Sequence, residues 1–218
     1  MDDEFDWSSL DDETLVETAE TLRKPIRHDR QVEKRLYIDG LKKQALTELV
    51  QELPLPNTDL YIISNGSGGT FNLYDEDAKA FEFGHFIPVI LGMLGGTGAT
   101  VYISTWTMNR AHALNLLELC DQGGIARLAV MTDPYFLRRE SAVANELVSG
   151  IRSRGQRFRA FKNHAKVLAI ANADNSRFCT VYASANLSSQ PRVENFVLST
   201  DPGLYHFTVD HFFEVMLK

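Results

Sequence analysis

At 218 residues the chain has room for one domain, or one domain with a short appendage. A hydrophobic share of 44% against 23% charged is an ordinary globular balance, with enough apolar material for a sizeable core. No run of 18 apolar residues occurs and the start, MDDEFDWSSLDDE, is acidic where a secretory leader is basic; the expectation is a cytoplasmic protein with no membrane association.

The net charge of −7 conceals a division. Residues 1–20 hold nine acids (Asp2, Asp3, Glu4, Asp6, Asp11, Asp12, Glu13, Glu17, Glu20) and no base, so the remaining chain carries +2. The bases cluster: residues 152–166 carry six (Arg152, Arg154, Arg157, Arg159, Lys162, Lys166) without an acid, and residues 23–43 carry eight against three acids. A body of this kind can offer phosphates a basic surface while the acidic lead stays a separable segment; a solvated helix face with a solubilising tail has the same composition. Cys120 and Cys179 make neither a disulfide framework nor a metal set and read as buried thiols.

In chain order, an acidic lead precedes a short helix over Asp11–Lys24, ended by Pro25, and a second helix is expected over His28–Leu53 with Val32, Leu36, Leu41, Leu46 and Val50 inward. Residues 1–55 therefore read as a helical N-terminal segment and residues 56–218 as the main domain. Leu60–Ile63 is a short buried strand, followed by the loop NGSGG, which lacks the lysine and spacing of a phosphate-binding P-loop. Then come a helix at Phe86–Leu94, a strand at Thr100–Ser104, a helix at Asn109–Asp121, a strand at Ala126–Met131, a helix from Asp133-Pro134 to about Arg152, and a strand at Phe158–Phe161. Two close strands, Ala165–Ile170 and Phe178–Ala183, turn at Asp174-Asn175; a strand at Glu194–Ser199 and a helix at Leu204–Leu217 finish the chain. Phe81, Phe83, Phe86 and the group Phe207, Phe212 and Phe213 read as core. Strand–helix alternation followed by a β-rich segment implies an α/β sandwich around a central mixed sheet flanked by helices.

Six histidines need weighing. His28, His85, His112, His206 and His211 sit in or beside helices and read as surface or capping residues, and no histidine or cysteine spacing supports a metal site. His164 stands apart: in His164-Ala165-Lys166 the alternation of an extended chain puts both side chains on one face. After the next strand, Ser184-Ala185-Asn186 sends Ser184 and Asn186 to one side in the same way. A hairpin between these strands gathers imidazole, ammonium, hydroxyl and amide at one end of the sheet. That set suits a phosphodiester: a nucleophile, a cation for the non-bridging oxygens and neutral donors to complete the cradle.

The order of these parts, FKNHAKVLAI and then VYASANLSSQPRVENFVL, resembles the phospholipase D superfamily of HKD-type phosphodiesterases and nucleases, over roughly residues 85–216. Within that superfamily it resembles the small phage and bacterial members with a single repeat. The resemblance implies a phospholipase D-like sandwich in which His164 attacks phosphorus, Lys166 and Asn186 hold phosphate oxygens, Ser184 supports the site and Glu194 hydrogen-bonds the nucleophilic imidazole. Two departures stand out: the aspartate that the family places five residues after the lysine is Ala171 here, and Ala183 replaces a usual glycine. Asp174 lies three residues beyond Ala171, an odd shift that aims it at the opposite face.

The family reaction uses two histidines, and this chain has one His-x-Lys; the resemblance therefore implies a homodimer with merged sites, acting without metal or cofactor. Arg159, Lys162 and Arg192 are candidate substrate contacts; Trp106 either stacks on substrate, walls the cleft or packs in the core. Small size, the basic run beside His164 and the lack of a lipid-binding feature favour a nuclease acting on DNA. The alternatives are a weakened scaffold that binds nucleic acid or a protein, and a hydrolase of phospholipid or another diester.

Overall fold

Val167-Leu168-Ala169-Ile170-Ala171 has the continuous apolar character of a strand buried on both faces, and it lies in the middle of an eight-stranded sheet. The computed structural model describes residues 34–39, 58–64, 82–188 and 194–218, all within one compact unit, Gln31–Lys218. Its strands are β1 (Lys34–Asp39), β2 (Thr58–Ser64), β3 (Ala99–Thr105), β4 (Ile125–Thr132), β5 (Arg157–Ala160), β6 (Val167–Ala171), β7 (Phe178–Ala183) and β8 (Glu194–Ser199). They are ordered β1-β2-β8-β7-β6-β3-β4-β5. Strands β6 and β8 run against the other six, so the sheet is mixed.

The helices are α1 (Phe86–Met93), α2 (Arg110–Asp121), α3 (Pro134–Arg139), α4 (Ser141–Ser153) and α5 (Pro202–Thr208); α5 continues through a π-turn at Val209–Phe213 into Glu214–Met216. The period of two along each strand divides the core. Val101, Ile103, Leu128, Val130, Leu168, Ile170, Cys179 and Val181 meet the apolar sides of α1, α2 and α4. Met131, Val167, Ala169, Ala171 and Phe178 meet Tyr205, Val209 and Phe213 of the last helix. Those three helical residues are four apart, a stripe that drifts by about 40° per step on a regular α-helix. The wider π-turn keeps it on the sheet.

The expected α/β architecture is the one observed, with differences at particular segments. The helix expected over His28–Leu53 is a strand where it is described: β1 pairs parallel with β2. Its Leu36-Tyr37-Ile38 run favours an extended chain, which the sheet edge stabilises over a helix already weakened by Gly40. The helix at Asp11–Lys24, the NGSGG loop, His28 and Phe81 lie outside the described residues. The single helix expected from Asp133 is two, because Glu140 leaves helical geometry (φ −108°, ψ 44°) between α3 and α4.

Among the histidines, His112 is not a surface residue: it is buried, with Nε2 2.6 Å from the Glu82 carboxylate. Only a glycine fits at position 84, where a Cβ would lie 2.2 Å from the His112 ring. Phe207, expected in the core with Phe212 and Phe213, is 45% exposed and packs against the His211 ring at a tilt; the α5 face that the π-turn keeps inward belongs to its neighbours. Cys179 is fully buried, and burial pushes its thiol pKa up; Cys120 is only half-buried.

The missing motif aspartate has a structural reading. Ala171 is fully buried against the last helix, and five residues of strand put it about 16 Å from Lys166. Asp174, on the far side of the hairpin turn, accepts hydrogen bonds from the Ser176 amide and hydroxyl, beside Asn175 in the left-handed region (φ 56°). Restoring the residue should therefore harm the fold rather than help the chemistry. Ala171→Asp is expected to cost on the order of 2–5 kcal/mol in urea unfolding. Burial raises the new carboxyl's folded-state pKa above its unfolded value, so the loss should be larger at pH 7 than at pH 4. An unchanged midpoint at pH 7 would contradict this packing.

Candidate active site

The six like-directed strands end together, and the amino ends of β6 and β8 lie between them. Trp106 follows β3, Asp133 follows β4, Ser184 follows β7, Lys166 precedes β6 and Glu194 begins β8. This is the end of an open α/β sheet at which ligands are bound.

His164 and Lys166 lie on a non-helical, non-strand stretch, residues 161–166, whose polar backbone has to be satisfied locally. Buried Asn163 does much of this. Its side-chain amide donates to Ser104 Oγ (2.8 Å), its carbonyl accepts from the Ala165 amide (3.0 Å), and its own backbone N–H donates to Asp133 (3.0 Å). Ser104 Oγ in turn donates to the Ala165 carbonyl (3.0 Å), and the Lys166 carbonyl accepts from the Ala183 amide (3.0 Å). Four of these hydrogen bonds fix the six-residue stretch to β3, to β7 and to the end of β4, and the Ala165–Asn163 bond closes within it.

The strand expected from Ala165 begins only at Val167, so it is this irregular stretch, not strand alternation, that brings Lys166 to the His164 ring. Lys166 Nζ lies 2.8 Å from His164 Nδ1 and 3.4 Å from Nε2. The imidazole is exposed while Lys166 is buried at 8% exposure, so the ring is presented to solvent on a sunken cation. Burial lowers the lysine's pKa, and the nearby Glu194 carboxylate works against that shift. Trp106 lies 5.6 Å from the His164 ring and stacks on Tyr135 at 4.5 Å and 9°. Arg139 caps the other end of this column, its guanidinium 5.6 Å from the Tyr135 ring centre and donating to the phenol oxygen. Trp106 is thus half-buried beside His164 and belongs to neither core cluster, which sets aside core packing among its readings.

Asn186 joins the same end: its side-chain carbonyl accepts from the Trp106 amide (3.2 Å), which orients the NH₂ group. Ser184 is exposed; its hydroxyl donates to the Glu194 carboxylate and accepts from the Asn195 amide (3.0 Å). Glu194 is therefore bonded to Ser184 and His164 to Lys166, with no hydrogen bond between Glu194 and the imidazole in this structure. Arg159 is turned away on edge strand β5, where it donates to the Met216 carbonyl (2.7 Å). Lys162 is exposed two residues before His164. Arg192 lies outside the described residues. Among the described residues no group of three or more His, Cys, Asp and Glu side chains is placed to hold a metal ion.

Ser104, Asp133, Tyr135 and Asn163 also belong to the site, and no sequence pattern singles them out for it. Asp133-Pro134 did carry a signal, as a helix opener, and Asp133 does cap α3 through the Tyr135 amide (2.7 Å). Its second oxygen goes to Asn163, so one carboxylate caps a helix and holds the His164 stretch. Burial opposes ionisation of Asp133, but the Tyr135 and Asn163 amides, with Arg138 and His164 nearby, hold its pKa below the usual carboxylate range. Asp133→Asn can keep the cap through its one carbonyl oxygen but removes the charge and sets an NH₂, which cannot accept, opposite the Asn163 amide, so it should cost on the order of 1–3 kcal/mol at pH 7. Because the folded-state pKa is depressed, that wild-type advantage is present above the unfolded carboxylate pKa and is lost as pH falls through the folded one. Urea unfolding of both proteins from pH 3 to pH 7 measures it; an advantage that grows on acidification would contradict the assignment.

No family model matches the chain, and no curated protein matches it. Solved structures do. Polyphosphate kinase from Porphyromonas gingivalis superposes with a TM-score of 0.53 at 13% identity, over 78% of this chain and 28% of that one. Phosphatidylserine synthase from Haemophilus influenzae Rd KW20 superposes with a TM-score of 0.50 at 15% identity, over 81% of this chain and 44% of that one. The chain thus spans less than half the length of either protein. Both are members of the phospholipase D superfamily, and this mixed sheet with helices on both faces has the phospholipase D-like fold.

Proposed function

We propose that the protein is a phosphodiesterase that works without a metal ion through a phosphohistidine at His164, with DNA as its substrate class. The observation that carries the reading is an exposed imidazole whose ring is in contact with a buried lysine, at the ligand-binding end of the sheet. Phosphoryl transfer from a diester needs a nucleophile, charge to meet the non-bridging oxygens and a proton for the leaving oxygen.

In this reading the incoming phosphate draws the Lys166 ammonium from the ring onto a non-bridging oxygen. The Asn186 amide donates to a second one. The ring nitrogen that retains its lone pair attacks phosphorus; a P–N bond forms and the P–O bond to the leaving group breaks. The leaving oxygen takes its proton from the His164 imidazolium of a second copy, which makes the working enzyme a homodimer. Water then attacks phosphorus, gives its proton back to that second imidazole, and the P–N bond breaks to release a phosphomonoester. Ser184 and Glu194, bonded to each other, border the pair, and the Glu194 carboxylate works against the burial that lowers the Lys166 pKa.

DNA is favoured over lipid by the aromatic column beside His164 and the exposed cations around it, Lys162, Arg138 and Arg139. The test is hydrolysis of a single-stranded and a double-stranded oligonucleotide, and of a chromogenic diester, in excess EDTA. Wild type should turn over at least one of them and His164→Asn none, with a loss of 10³-fold or more on the order expected for removal of a nucleophile. Activity that EDTA abolishes contradicts the reading; DNA binding without turnover on any substrate would replace it with a binding scaffold.

A further inference from the structure

The strongest feature outside the His164 site is a cavity of about 310 Å³ at the opposite end of the sheet, on its α5 side. It is lined by Thr100 and Tyr102 of β3, Arg127 of β4, Gln156 and Arg157 at the start of β5, and Glu214 of the last helix. Ala129 pairs with Arg157, so Arg127 lies one diagonal step along on the same face, and both arginines line the cavity. Like charges so placed repel, and the site holds one carboxylate for both.

That carboxylate is already engaged: Glu214 Oε1 accepts from Arg157 (2.8 Å) and from the Tyr102 hydroxyl (3.0 Å). The Arg157 bond holds its pKa below the usual carboxylate range. Arg127 donates through Nε to Thr100 Oγ1 (3.0 Å) and makes no ion pair among the described residues. Gln156 is engaged as well, accepting from the Leu128 amide (2.6 Å) and donating to the Ala126 carbonyl (3.2 Å). What is left is net positive: the two amino groups of Arg127, in the fork geometry that matches an oxyanion, beside a second arginine shared with an acid.

We infer that this cavity is a binding site for a compact phosphate-bearing anion, either inorganic phosphate or a phosphomonoester, held bidentately by Arg127 and assisted by Arg157. The volume is at the small end for ligand pockets, which suits a single phosphate ester and not a duplex. The cavity lies about 16 Å along β3 from Trp106, so it is a second site, and it stands whether or not His164 turns over a diester.

The test is a titration of the ¹⁵N-labelled full-length protein with inorganic phosphate and with adenosine 5′-monophosphate, following backbone amides at fixed ionic strength. The expected result is a set of shifted amides at residues 127–129 and 155–157. Their apparent Kd should weaken at least tenfold in Arg127→Gln and stay unchanged in Lys166→Ala. Arg127→Lys, which keeps the charge without the fork, should fall between. Arg127 is exposed, so the variants should unfold at the wild-type temperature, which separates lost binding from lost fold. Equal affinity for the two probes would identify free phosphate as the ligand; tighter binding of the nucleotide would identify an ester. The inference is overturned if those amides do not move, if Arg127→Gln binds as wild type does, or if only a DNA oligonucleotide shifts them.

Discussion

The candidate site depends on how the stretch before β6 is held. A strand would present His164 and Lys166 by alternation alone, but residues 161–166 are irregular, and their geometry comes from Asn163. That side chain is buried at 7% exposure and uses its donor and its acceptor, bridging Ser104 on β3 and the Ala165 amide, while Asp133 takes the backbone N–H. A polar group this deep is costly unless it is bonded, so one satisfied arrangement is strongly preferred over the alternatives. The imidazole and the ammonium are placed by that preference.

The sheet separates stability from chemistry by direction along its strands. The middle of β6 and β7 is packed between two helical layers and tolerates no charge. The end where six strands finish carries the polar residues, each supported from a different strand. Ala171, where the resemblance led to an aspartate, belongs to the packed half of β6: it pairs with Phe178 and shares an apolar cluster with Tyr205 and Val209, away from the imidazole. The same separation leaves the other sheet end free to carry a charge cluster of its own, built by Arg127 and Arg157 on adjacent strands.

Much of this was legible in the sequence where periodicity is strong and local. Glu194–Ser199 and Phe178–Ala183 are the strands expected, and His164, Lys166 and Asn186 lie at one sheet end, although His164–Lys166 and Ser184–Asn186 fall just outside the strands whose alternation was expected to place them. The illegible parts are those decided by tertiary contact. Lys34–Asp39 has a pattern that serves either helix or strand, and pairing with β2 selects the strand. Asn163 reads as an ordinary polar residue until its partners on β3 and β4 are known, and Arg159 reads as a substrate contact until the last helix offers it a carbonyl. His112 is similar: nothing in its local sequence announces that Glu82, 30 residues away, will bury it.

The central claim is covalent: phosphorus is transferred to His164. The most direct measurement is intact-mass and peptide-mass analysis of the full-length protein mixed rapidly with a phosphodiester substrate in EDTA, quenched at alkaline pH to preserve a phosphoramidate. The account predicts an acid-labile adduct on the peptide that contains His164, formed and lost at the rate of turnover and absent from His164→Asn. Turnover without an adduct on that peptide, or an adduct on another residue, would contradict it.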